Sequence, residues 1–138
     1  MTTANITWVE DMQFVGQGET RHAIVMDSSE GAGGHDTGAT PMEVLLMGVL
    51  GCTAMDVISI LKKKRQAVKG LKIFATGDRA AEHPKYYTKI HLEYVATGDV
   101  DLEALERSAQ LSEDKYCSAI ATVRGKAEIT RSCRVEKA

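Results

Sequence analysis

The chain has 138 residues, enough for one hydrophobic core and not two, and its 43% hydrophobic and 26% charged residues are those of an ordinary globular protein. A formal net charge of −2 and an aromatic share of 5% argue against an electrostatic or stacking grip on nucleic acid. Three cysteines, Cys52, Cys117 and Cys133, make no even disulfide framework; with no C-x-x-C and no histidine at zinc-like spacing, structural zinc is not expected.

The N-terminal run MTTANITWVED lacks a basic region followed by an apolar one, so the expectation is a cytoplasmic protein with reduced thiols. NITWVE, MQFVGQ and RHAIVMD alternate as two or three strands of a meander. SSEGAGGHDTGA breaks that pattern and reads as a flexible, glycine-rich loop, a flap beside the site. It leads into a helix start, but it lacks the lysine and spacing of a phosphate-binding loop. Thr40, Pro41 and Glu43 then form a capping box: Thr40 as N-cap, Pro41 at the first helical position, Glu43 reaching back to the Thr40 amide.

The helix is predicted from Pro41 to about Arg65, roughly 37 Å at 1.5 Å per residue. KKKR closes it with positive charge at the negative end of the macrodipole. Beyond it, GLKIFATGD and YYTKIHLEYVATGD read as two long strands, the second with Ile90, Leu92 and Tyr94 on one face and Lys89, His91 and Glu93 on the other. DLEALERSAQLSEDKY is an amphipathic helix with Asp101 as N-cap; CSAIATVRG is a short helical turn; KAEITRSCRVE is a last strand. The order of strands, long helix, strands, helices and strand defines an α+β fold in a single domain, residues 1–138.

From Val44 to Leu61 the only charge is Asp56, so the long helix is apolar on nearly every side. Such a helix either spans a membrane or is buried all round. Asp56, Thr53 and Ser59 within it, and the amphipathic elements around it that need a surface to cover, favour burial. One protomer can hardly wrap so long a helix, and Gly48, Gly51 and Ala54 would let two backbones approach, so a homodimer with paired long helices is expected. Inside this apolar stretch sits a thiol, Cys52; a second, Cys117, opens the helical segment after EDKY, where it would feel the positive end of the segment's dipole.

TPMEVLLMGVLGCTAMDVISILKKKR, followed by EDKYCSAI and AEITRS, resembles the OsmC/Ohr family of osmotically inducible and organic hydroperoxide resistance proteins, and most nearly its OsmC-like branch, with counterparts of GCTAMDVISIL and HPKYYTKIHL. The resemblance spans about Trp8 to Val135. It implies an intertwined homodimer, built of antiparallel sheets around the long helix, with active sites at the subunit interface. It also implies a peroxidase in which Cys52 attacks an organic hydroperoxide and becomes a sulfenic acid, Cys117 condenses with it to a disulfide, and an external dithiol reduces the pair. No metal or organic cofactor is needed, because sulfur supplies both electrons. An apolar crevice lined by Leu45, Leu46, Val49 and Met55 would admit an alkyl hydroperoxide by burial. Burial raises a thiol's pKa, so a cation or donor must face Cys52.

The family uses an arginine of the N-terminal strands, and Arg21 in GETRHAIVMD lies in that region; the other reading of Arg21, and of His22, is a solvated strand end. The family's helix-start glutamate sits where this chain has Met42, and Glu43 is explained by capping Thr40. Asp56, four residues beyond Cys52, reads as the partner of a basic side chain or hydroxyl at a helix crossing, Cys133 as a packing or edge residue, and His91 as solvated. A second function is compatible with the same residues: a non-catalytic binder holding a small hydrophobic molecule in the apolar dimer cleft.

Overall fold

Thr40 N–H donates to Glu43 Oε1 at 2.9 Å and Glu43 N–H to the Thr40 hydroxyl at 3.3 Å, so the predicted capping box forms and fixes where the long helix begins. The computed structural model describes residues 1–138, which divide into two compact units, Met1–Leu45 and Leu46–Ala138.

In the first unit, β1 (Ala4–Glu10), β2 (Gln13–Gly18) and β3 (Ala23–Met26) form the expected antiparallel meander, with Trp8 opposite Phe14 and Val15 opposite Val25. Arg21 closes the β2–β3 turn in the left-handed region, φ 65°, its N–H bonded to Gly18 O at 3.0 Å. The alternating side chains stay largely uncovered: Ile6, Trp8, Val9, Ile24 and Val25 are all exposed.

The glycine-rich segment after β3 is not the loose loop its composition suggests. Its backbone wraps the buried carboxylate of Asp27, which accepts from the Ser28, His35 and Thr37 N–H groups and from the Thr37 hydroxyl at 2.6 Å. Gly34 passes so close to Ser28 and Asp27 that a Cβ would overlap them, which is why glycine is required there. His35 Nε2 meets Asp11 Oδ2 at 2.6 Å and ties the segment to the β1–β2 turn.

The long helix, α1 (Pro41–Lys63), ends in a Schellman motif: Gln66 N–H bonds Leu61 O and Arg65 N–H bonds Lys62 O, with Arg65 left-handed at φ 57°. By length and composition it could cross a bilayer. The expectation of burial on every side is not met within one chain. Only the stripe Val49, Thr53, Val57 and Leu61 is buried, each four residues from the next, while Leu45, Met47 and Met55 are exposed.

The second unit builds a sheet from β4 (Ala67–Arg79), β5 (Tyr87–Asp99) and β6 (Glu128–Glu136), in that order. β4 and β5 are antiparallel, whereas β6 runs parallel to β5. A parallel neighbour needs a long crossover, and α2 (Leu102–Leu111), a π-helical turn (Ser112–Tyr116) and α3 (Ser118–Val123) supply it. β5 is central, so Ile90, Leu92, Tyr94 and Ala96 are fully buried on one face, as the alternation predicts. α2 lies against β5 and β6 and buries Leu105 and Ala109. Asp101 occupies the N-cap position of α2, but its carboxylate makes no capping bond; its own N–H donates to Gln66 Oε1 at 2.8 Å. His91, expected to be solvated, is half-buried on the opposite face, with Nδ1 2.7 Å from the Thr130 hydroxyl.

The Asp27 cage makes stability pH-dependent. The Thr37 hydroxyl first, and then the surrounding N–H groups, outweigh burial and hold the carboxyl at about 2 instead of its ordinary 3.8. The stabilisation is complete above the ordinary value and lost as pH falls through about 2. Urea unfolding followed from pH 6 down to the acid limit should show a fall that Asp27→Asn flattens; an equally steep fall in the variant would refute the assignment.

Candidate functional site

Cys52 lies on α1 beside the buried stripe and is half-buried. Its neighbour Thr53 points into the core and is fully buried. Sixty-five residues later, Cys117 follows the π-helical turn and takes the N-cap position of α3, where its sulfur accepts the Ile120 N–H at 3.4 Å. Cys117 is only 3% exposed. The fold brings the two thiols near enough to one another to interact electrostatically. Burial first, and the neighbouring Cys52 in addition, push the Cys117 thiol up to about 11. Cys117 is therefore protonated at neutral pH.

The π-helical turn is what places Cys117. Its closing bond runs from Cys117 N–H to Ser112 O, five residues back, at 2.7 Å. Ser112 is fully buried, and its hydroxyl lies 2.7 Å from Thr53 Oγ1 and donates to Asp56 Oδ2 at 2.8 Å. Asp56 thus pairs with a hydroxyl where two helical segments cross, one of the two partners expected for it. The polar chain continues: Thr53 Oγ1 is 3.0 Å from the Tyr94 hydroxyl, which donates to Glu113 Oε2 at 2.9 Å, and Glu113 Oε1 accepts from Arg131 Nη1 at 2.8 Å. Every buried side-chain polar atom has a partner. Burial drives the Tyr94 hydroxyl well above the ordinary tyrosine range, so it stays a donor.

Ser112, Glu113, Tyr94 and Arg131 were not singled out from the sequence, although one signal was present. Ser108 and Ser112 sit at helical spacing with Leu105 and Ala109, so two hydroxyls occupy the apolar face of an amphipathic helix. Hydroxyls on a core face require partners, and Thr53 and Asp56 in the apolar helix were the natural ones.

The remaining predicted residues fall elsewhere. Arg21 belongs to the first unit, exposed in the β2–β3 turn beside His22, whose ring meets the Thr20 hydroxyl at 3.2 Å. Glu43 is engaged in the capping box. Cys133 stands opposite Tyr94 on the edge strand β6, half-buried, its thiol pushed up to about 11 by burial. Of the side chains expected to line a substrate crevice, Val49 is sealed in the core, whereas Leu45 and Met55 are 46% and 76% exposed.

An α+β chain with a thiol on a long helix and a second thiol held against it by a helical turn is a class that comparison with known proteins makes specific. Residues 34–132 match the model of the OsmC-like protein family. Protein YhfA of Escherichia coli K12 is 38% identical over 133 residues, 96% of each chain. The crystal structure of a hypothetical protein from Aquifex aeolicus VF5 superposes with a TM-score of 0.88 at 36% identity, covering 100% of this chain and 98% of that one. An organic hydroperoxide resistance protein OsmC from Legionella pneumophila shares the fold at 13% identity, with a TM-score of 0.74 over 98% of this chain and 97% of its own. The chain belongs to the OsmC-like family.

The elevated thiols have a stability consequence. In the unfolded chain both titrate near the ordinary 9.0, and in the folded protein near 11. Between those values the unfolded state releases protons first, so stability falls as pH rises from about 9 to about 11. The urea midpoint should drop between pH 8 and pH 10.5, and Cys133→Ala should make that drop shallower. A midpoint independent of pH in this range would contradict the burial assigned to both thiols.

Proposed function

We propose that the protein is a thiol-dependent peroxidase acting on organic hydroperoxides, within the peroxide-resistance role that OsmC/Ohr relatives carry in their names. The observation that carries this reading is the neighbouring pair of Cys52 and Cys117, one half-buried on a long apolar helix and the other enclosed. In the first step the Cys52 thiolate attacks the hydroperoxide; the O–O bond breaks, Cys52 becomes a sulfenic acid, and the alcohol leaves with a proton. In the second, Cys117 sulfur attacks Cys52 sulfur, the S–O bond breaks, and water departs as the disulfide forms. An external dithiol returns both sulfurs to thiols. Cys117, enclosed beside Cys52, serves as the resolving group. Arg21 is the cation that the family resemblance assigns to favouring the thiolate, a role to be read from Arg21→Ala against Arg21→Lys.

Reduced protein mixed with cumene hydroperoxide should lose two thiols, and with hydrogen peroxide far more slowly. Cys52→Ser should lose neither of the pair, and Cys117→Ser should accumulate a dimedone-reactive sulfenic acid. Unchanged thiols in the wild-type protein would overturn the peroxidase and leave the second reading, a binder of a small hydrophobic molecule, which the exposed apolar side chains of α1 favour.

The site is proposed to be completed by a second copy of the chain. On α1, Met55 is exposed, and open space stands over Gly48 and Gly51, so an apolar stripe of small residues borders Cys52 with nothing from its own chain over it. Covering it with the same stripe of a partner would bury these side chains and enclose Cys52, as an isologous contact requires. Sedimentation should give a dimer at micromolar concentration, and Met55→Glu should shift it toward monomer with lowered peroxidase activity; a wild-type monomer would refute the pairing.

A further inference from the structure

Between the two sulfurs runs a short covalent and hydrogen-bonded bridge: Cys52 is joined by one peptide bond to Thr53, Thr53 Oγ1 meets Ser112 Oγ at 2.7 Å, and Ser112 O receives the Cys117 N–H at 2.7 Å. Thr53 and Ser112 are each fully buried. The bridge has a direction. Ser112 gives its hydroxyl proton to Asp56, and Thr53 therefore gives its own to Ser112. Tyr94 gives its proton to Glu113 and lies 3.0 Å from Thr53 Oγ1. Thr53 to Ser112 to Asp56 holds the turn bearing Cys117, and Tyr94 to Glu113 to Arg131 anchors the same turn to the sheet.

We infer that Thr53 and Ser112 are positioning residues for disulfide formation: the Thr53–Ser112 hydrogen bond holds the Cys117 thiol in register with Cys52, so that the second sulfur is in place when the first has been oxidised. The inference rests on Cys52 and Cys117 as the reacting pair and assigns the second step its own residues. A π-helical turn is a poorly stabilised element, one that survives where side chains hold it. Without the Thr53 tether the Ser112 carbonyl can revert to ordinary helical bonding and Cys117 rotates away, while Cys52 on the rigid α1 remains able to react. Losing the bond should thus separate the two steps.

The test uses an aromatic disulfide, 5,5′-dithiobis(2-nitrobenzoate), as the oxidant. In full-length Cys133→Ala protein at one equivalent of reagent, Cys52 thiolate attacks the reagent disulfide and releases one thionitrobenzoate. Cys117 thiolate then attacks Cys52 in the mixed disulfide and releases a second, in a phase independent of reagent concentration. Thr53→Val keeps the shape and removes the hydroxyl; Thr53→Ser keeps the hydroxyl and removes a methyl. The second phase should slow about tenfold or more in Thr53→Val and stay near the parent rate in Thr53→Ser, with the first phase alike in all three. Equal slowing in Thr53→Val and Thr53→Ser, or no slowing in Thr53→Val, would overturn the assignment. Should Thr53→Val not fold, Ser112→Ala breaks the same bond from the other side and is held to the same outcome. Because the reagent replaces hydroperoxide, a parent protein that forms the disulfide quickly here but leaves cumene hydroperoxide untouched would sink the peroxidase and keep the positioning.

Discussion

Everything distinctive in the second unit depends on a few buried hydroxyls being satisfied at once. Thr53, Ser112 and Tyr94 are fully buried, and none can be left without a partner except at a cost of about 1–3 kcal/mol each. The arrangement that serves them all puts α1, β5 and the π-helical turn in one register. Apolar packing alone tolerates sliding of a helix by a turn; a chain of hydroxyls ending on two carboxylates does not. The specificity comes from the polar groups, and the bulk of the stability from the apolar stripe of Val49, Val57 and Leu61 beside them.

That register decides the chemistry available to the two sulfurs. A thiol enclosed as Cys117 is would by itself be inert, its proton held to about 11. What distinguishes it is its place beside a second sulfur, Cys52. The same enclosure explains why Cys133 stands apart: burial raises it equally, but no sulfur faces it, and it packs opposite Tyr94 on the edge strand. Two cysteines whose thiols are both raised to about 11 thus differ in what they can do because of one neighbour.

The first unit is held together in a different way. Its three strands leave apolar side chains uncovered, and its order comes from one carboxylate, Asp27, gathering three backbone N–H groups and a hydroxyl. The glycines that made this segment look loose are what let the backbone come close enough to do so, Gly34 most of all. A run of glycines marks conformational freedom in the unfolded chain, and here that freedom is used to reach a single tight geometry.

The elements governed by local chemistry were legible in the sequence. The Thr40–Glu43 capping box, the meander, the alternation of Ile90, Leu92 and Tyr94 and the amphipathic face of α2 each depend on residues a few positions apart, and each forms as expected. The candidate thiols were legible too, through their context and the family resemblance. What pattern could not supply depends on residues far apart in the chain: the parallel pairing of β6 with β5, the closing of the glycine segment on Asp27, the pairing of His91 with Thr130, and the Tyr94–Glu113–Arg131 branch. Periodicity reports which face of an element is apolar, not what will lie against it; α1 shows the difference, since an almost wholly apolar sequence buries a single stripe in its own chain. The sequence by itself determined the elements, their order and the two sulfurs. Only the tertiary structure decided that those sulfurs lie near one another, because their segments meet through contacts such as the hydrogen bond between Thr53 and Ser112, fifty-nine residues apart, that no local preference encodes.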